Sequence, residues 1–207
     1  MTPALLFLIG ASGAGKTSVV KVLDARAIPG LWCYHFDSIG VPSAAIMERD
    51  FGTGENWQAV TTREWVDRLI ANQDGASVAL LEGQTRPSFL RPALERAGVQ
   101  NSRIVLLDCH ADVRAARLRG PRGQPELATS QMDEWAAYLR EQASAVGLPI
   151  VDTNSQSLEA IADAIQVHLD SLRVDVPLPN SRCSRRAARG QGLLEHRARR
   201  SRLSGRR

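Results

Sequence analysis

The chain has 207 residues, 43% of them apolar and 23% charged, with a formal net charge of +4. That length supports one well-buried domain, and no apolar run approaches the roughly 20 residues needed to cross a bilayer. The charge is uneven: residues 178–207 carry ten arginines against a single acid, Glu195, so the remaining body is mildly acidic and offers no basic patch of its own.

Cys33, Cys109 and Cys183 are odd in number and far apart, and His35, His110, His168 and His196 do not cluster. This argues against a disulfide framework or a Cys/His zinc site and makes a reducing cytoplasm the expected location.

In chain order, strand-like and helix-like segments alternate, the pattern of a parallel sheet covered on both faces. Ala4–Gly10 is a continuous apolar run ending in glycine, as a buried central strand reads. A helix is expected from Lys16, with Val19, Val20 and Leu23 inward, ending before Pro29-Gly30. Leu31–Phe36 reads as a second strand. Helices are expected over Pro42–Arg49 and Thr61–Asn72, the second opening on a Thr61-Thr62-Arg63-Glu64 capping pattern. Ser77–Leu81 is a third strand, Pro87–Ala97 a short helix and Arg103–Asp108 a fourth strand. A helix over Ala111–Arg119 breaks at Gly120-Pro121-Arg122-Gly123-Gln124-Pro125. Ser130–Val146 is a longer helix, Pro149–Asp152 a fifth strand, and Leu158–Leu172 a closing helix. Beyond Arg173 the chain turns to Arg, Ser and Gly with little apolar content, a composition expected to stay disordered.

Gly10-Ala11-Ser12-Gly13-Ala14-Gly15-Lys16-Thr17 fits Gly, four residues, Gly-Lys-Ser/Thr. Glycines allow the tight curl that turns successive amides toward phosphate oxygens. The helix starting at Lys16 aims its positive end at the same place. On this reading the loop, with Ser18, binds the phosphates of ATP; Lys16 bridges the β- and γ-phosphates and Thr17 ligates Mg²⁺. No Asn-Lys-x-Asp guanine-reading motif is present, which argues against a GTPase.

With the Walker A loop, the Asp37-Ser38 pair and an arginine-bearing lid in that order, the chain resembles the small P-loop kinases over roughly Pro3 to Arg173. These are the nucleoside monophosphate kinases and their relatives acting on shikimate, gluconate or chloramphenicol. The resemblance implies a three-layer α/β P-loop NTPase fold with a five-stranded parallel sheet in the order 2-3-1-4-5 and a short lid. Residues 1–175 would form the kinase-like domain and residues 176–207 the Arg-rich tail.

Asp37 follows the second strand, where strand ends line the ligand crevice, and can take a proton from a substrate hydroxyl. In the chloramphenicol phosphotransferases an Asp-Ser pair at this place carries the catalytic base, and Asp37 matches it; the alternative is a turn cap. Glu82 follows the run Val78-Ala79-Leu80-Leu81 in a Walker B layout and either holds Mg²⁺ through water, touches substrate, or is structural. Arg86 either clamps an anionic substrate or is a solvated surface residue. Among Arg114, Arg117, Arg119 and Arg122 at the expected lid, Arg117 or Arg122 is the expected stabiliser of transition-state charge. By resemblance, the Thr153-Asn154 turn sits beside the adenine. Trp57, Trp65 and Trp135 either line a substrate pocket or pack helices; Trp57 is the best pocket candidate because it precedes a helix on the acceptor side.

The expected activity is transfer of the γ-phosphoryl group of ATP to a hydroxyl of a small molecule. A nucleotide or polynucleotide kinase and a non-catalytic ATP-binding regulatory module remain as alternatives. Nucleic acid would engage only weakly, through the tail, which has no aromatic residue to stack on bases. The acceptor pocket is expected from residues 41–72.

Overall fold

The computed structural model describes residues 2–174; the expectations for residues 176–207, and for Cys183 and His196, lie outside the described residues. Five strands form one parallel sheet: β1 (Ala4–Ile9), β2 (Leu31–His35), β3 (Val78–Gly83), β4 (Ser102–Asp108) and β5 (Ile150–Asp152). Their order is β2-β3-β1-β4-β5, as the resemblance implied.

Every residue of β1 is buried, because a central strand with helices on both faces meets apolar side chains in both directions. Its residues divide by the period of two that strand geometry imposes. Leu5, Phe7 and Ile9 join one core with α3 (Gly54–Ala71), α4 (Pro87–Arg96) and α6 (Ser130–Ala145). Ala4, Leu6 and Leu8 join the other with α1 (Lys16–Ala25) and α7 (Leu158–Val174). Two further helices, α2 (Ala44–Phe51) and α5 (Ala111–Arg119), lie after β2 and β4. Among the described residues no helix is long and apolar enough to cross a membrane.

Register places the chemistry-bearing residues together. Leu8 and His35 both pair with Glu82, and Ile9 pairs with Gly83. His35, Glu82 and the start of the glycine loop therefore share the carboxyl edge of the sheet.

The expected start of the third helix is corrected. α3 begins at Gly54, seven residues before Thr61, and its cap is Thr53, whose hydroxyl accepts from the Asn56 amide at 3.0 Å. Thr61 and Thr62 lie buried inside the helix. Thr62 Oγ1 donates to the Gln58 carbonyl at 2.7 Å and shares a 2.8 Å hydrogen bond with Thr85. The Thr-Thr-Arg-Glu run looks like a cap because Thr can bond backbone locally; here that capacity is used within the helix. Trp57 consequently lies inside α3 rather than before it.

Candidate functional site

The loop between β1 and α1 is set by glycine. Gly13 and Gly15 have φ of 82° and 100°, in the left-handed region that β-carbons disfavour. At Gly13 a Cβ would also stand 2.7 Å from Arg114 Cγ. The first-turn amides of α1 have no partner within the helix. Gly13, Ala14, Gly15, Thr17 and Ser18 line a cavity of about 480 Å³ together with Arg117, Pro121, Arg122, Gln156 and Leu158.

Lys16 is only 6% exposed. Its ammonium donates to the carbonyls of Gly10 at 2.9 Å and Ala11 at 3.1 Å. Burial pulls its pKa from 10.5 to about 8; Glu82 and Asp37 oppose that fall and Arg122 adds to it. A buried cation held by neutral carbonyls is one whose charge an anion would favour, so the loop fits a polyphosphate.

Glu82 is buried at the end of β3 and accepts at one oxygen, Oε1, from Thr17 Oγ1 at 2.9 Å; His35 Nδ1 lies 2.8 Å from the same oxygen. Among the described residues no group of three or more His, Cys, Asp or Glu is arranged to hold a metal alone. A hydroxyl beside one carboxylate suits a hard cation that keeps most of its water, as Mg²⁺ does.

Asp37 sits in a single 3-10 turn, Phe36–Ile39, directly after β2. It is exposed, and its carboxylate caps nothing; the side-chain bond within the turn is made by Ser38, which donates to the His35 carbonyl at 2.7 Å. Asp37 shares a gap of about 30 Å³ with Lys16, Thr17, Glu82 and Arg122. It also lines a second cavity of about 710 Å³, between the turn after β2, α3, the lid segment (residues 120–129) and α6. The gap lies between the two cavities: it shares Thr17 and Arg122 with the first, and Phe36, Asp37 and Gln84 with the second.

The lid arginines separate into different roles. Arg122 faces both the first cavity and the gap. Arg117 lines the first cavity and donates to Thr153, at the hydroxyl (2.9 Å) and at the carbonyl. Arg114 is buried and bonds the Cys109 carbonyl at 3.1 Å and the Asp133 carboxylate, tying α5 to α6 beneath the glycine loop. Arg119 is exposed and lines none of these spaces. Thr153 is fully buried, with its hydroxyl donating to the Ala14 carbonyl at 3.2 Å, and is a strut behind the loop rather than a wall of the cavity. Gln156 and Leu158, a few residues on, take the wall position.

Arg86 is not a solvated residue. Its guanidinium lies 4.7 Å from the Trp135 ring, 5.1 Å from Phe89 and 5.6 Å from Tyr138. It also donates to Gln58 Oε1 and pairs with Glu55 at 3.6 Å. Gln58 Nε2 donates to the Gln84 carbonyl at 2.6 Å, and Gln84 Nε2 to Ser12 Oγ at 3.0 Å. This chain of side chains links the second cavity to the glycine loop, and sequence reading missed it because glutamine carries no motif. Trp57 and Trp135 both line the second cavity; Trp65 packs in the core with its indole N–H donating to the Phe36 carbonyl at 3.0 Å.

No protein-family model matches the chain, and no curated protein sequence matches it significantly. Solved structures do. The gluconokinase from Sinorhizobium meliloti 1021 superposes with a TM-score of 0.59 at 20% identity, covering 84% of this chain and 95% of that one. Shikimate kinase from Acinetobacter baumannii, in complex with shikimate, gives 0.55 at 19%, covering 82% and 94%. Thymidylate kinase from Candida albicans gives 0.54 at 10%, covering 82% and 92%. With strand order, glycine loop and these likenesses in agreement, the chain has the fold of the P-loop kinases.

Proposed function

We propose that this protein transfers the γ-phosphoryl group of ATP to a hydroxyl of a small molecule. The observation that carries the reading is the gap of about 30 Å³ where Lys16, Asp37, Glu82 and Arg122 converge, with a larger cavity on either side. A phosphate site needs cations and an attacking hydroxyl needs a base; both kinds of group meet there, between two ligand-sized spaces.

The amides from Gly13 to Ser18 and the Lys16 ammonium would hold the phosphates. Thr17 would ligate Mg²⁺, with Glu82 acting through a bound water. When bound, ATP supplies the phosphoryl group and Mg²⁺ neutralises part of its charge. Asp37 accepts the proton of the acceptor hydroxyl, whose oxygen forms the new P–O bond as the bond to ADP breaks. Lys16 and Arg122 offset the negative charge on the moving group. Arg117 stiffens the wall through Thr153. The wall of Pro121, Gln156 and Leu158 receives the nucleoside end.

The test is a phosphoryl-transfer screen of hydroxyl compounds, with Lys16→Ala as the blank. Asp37→Asn keeps the shape of the carboxylate and removes the base. For a hydroxyl acceptor it should lower kcat by about 10²–10⁴-fold while ATP affinity stays unchanged. A phosphate acceptor is already ionised and needs no base, so an unimpaired variant would point to a nucleotide kinase.

A further inference from the structure

The second cavity describes what it can hold. Part of its wall is aromatic: Trp57 lies edge-on to Phe36 with ring centroids 6.1 Å apart, and Trp135 stacks on Tyr138 at 5.5 Å and 18°, while Gln58, Gln84, Thr129 and Gln131 add polar surface. Met132 and Leu127 add apolar surface from α6 and the lid. Planar walls of this kind favour a planar apolar partner, for which ring-on-ring contact adds to burial.

Its charge is equally one-sided. Four carboxylates line the space, from Asp37, Glu55, Glu126 and Glu134, against one cation, Arg86. Arg86 is already engaged. Three aromatic rings surround its guanidinium, Gln58 accepts from it, and Glu55 pairs with it. An incoming carboxylate or phosphate would have to displace those partners and then sit among four like charges. Glu126 and Glu134 are exposed and line the cavity, and among the described residues neither is ion-paired.

We infer, building on the phosphotransfer reading above, that the acceptor is a hydroxyl compound with a planar apolar body and no anionic group, and that a basic amine beside the hydroxyl improves it. Sugar acids and nucleoside monophosphates are excluded by the same charges. The aromatic walls hold the ring, Asp37 faces the hydroxyl, and the acids of the rim attract the ammonium.

The experiment uses the full chain and three compounds of one shape: 2-amino-1-phenylethanol (ammonium), 1-phenyl-1,2-ethanediol (neutral) and mandelate (carboxylate). Binding is read without nucleotide by quenching of tryptophan fluorescence, and transfer by kcat/KM with Mg·ATP. The expected order is ammonium, neutral, carboxylate, with about tenfold or more between the first and last. Glu134→Lys, at an exposed position, should shrink that ratio by about tenfold and change the ammonium compound more than the neutral one. Mandelate, gluconate or AMP performing as well as the ammonium compound would overturn the inference. So would failure of both the ammonium and neutral compounds to bind. Mg·ATP affinity, measured separately, is what fails if the phosphotransfer reading is wrong, so the two failures are distinguishable.

Discussion

Lys16 is a residue whose proton the fold loosens. Below pH 8 it is protonated both folded and unfolded, and the folded chain bears the cost of burying an ammonium. Between about 8 and 10.5 the folded form sheds its proton while the unfolded form keeps it. The unfolded state then binds more protons, so this residue makes stability rise with pH across that window. Lys16→Met removes the charge and should stabilise the protein at pH 7 by up to about 3 kcal/mol, less whatever is lost at the Gly10 and Ala11 carbonyls. Denaturant titrations of both proteins from pH 7 to 10.5 should show the two curves converging as pH rises. A lysine so costly to stability is in keeping with the ligand role proposed for it, the usual trade between a site and its scaffold.

At this scale much of the site was legible. The glycine-lysine-threonine spacing named Lys16 and Thr17, and a carboxylate after each of two apolar strands named Asp37 and Glu82. Arg86 was legible as a candidate but not in its setting, because Phe89, Trp135 and Tyr138 come to it from two helices. His35 could have been found from register: a residue ending β2 faces the acid ending β3 whenever the two strands pair in parallel.

At the scale of elements, the glycine loop depends on α5 as well as on its own sequence. Arg114 fills the space beside Gly13, with its Cγ 2.7 Å and its carbonyl oxygen 3.0 Å from where a Cβ would stand. Gly13→Ala combines that collision with an unfavourable φ and should cost about 2 kcal/mol or more. A fall in Tm of roughly 4–8 °C, with nucleotide affinity falling too, would bear this out; an unchanged Tm would mean that α5 does not support the loop. Another close approach, Gly83 against Phe36, pins the turn carrying Asp37 to β3: an added Cβ would stand 2.3 Å from Phe36 Cβ. Neither constraint appears in a sequence, since each joins segments tens of residues apart. The start of α3 was misread for a related reason. Thr53 and Thr61 offer the same local capping chemistry, and with the helix begun after Thr53 the ring of Trp57 packs edge-on against Phe36. The acceptor pocket was expected from residues 41–72; the second cavity, proposed for that role, draws on them and also on Trp135, Tyr138 and Met132 of α6. An amphipathic helix does not announce which edge of its apolar face a ligand will share with the core.

For the whole molecule, strand periods and the alternation of strands with helices were enough for the layers and the strand count, and the order of strands came from the resemblance. What neither supplied was the arrangement of spaces along the carboxyl edge of the sheet. Two cavities meet at a gap, which shares Thr17 and Arg122 with one and Phe36, Asp37 and Gln84 with the other. On the proposed function, a donor in one cavity and an acceptor in the other would face each other directly, with no side-chain nucleophile required to carry phosphate between them. Initial-rate plots should therefore intersect, as expected for a ternary complex, where parallel lines would indicate a phosphorylated enzyme. Chiral thiophosphate should emerge with inverted configuration after a single displacement. A tethered compound joining adenosine to the acceptor through a phosphate chain should bind more tightly than either half, since the second half then docks without a second loss of translational freedom.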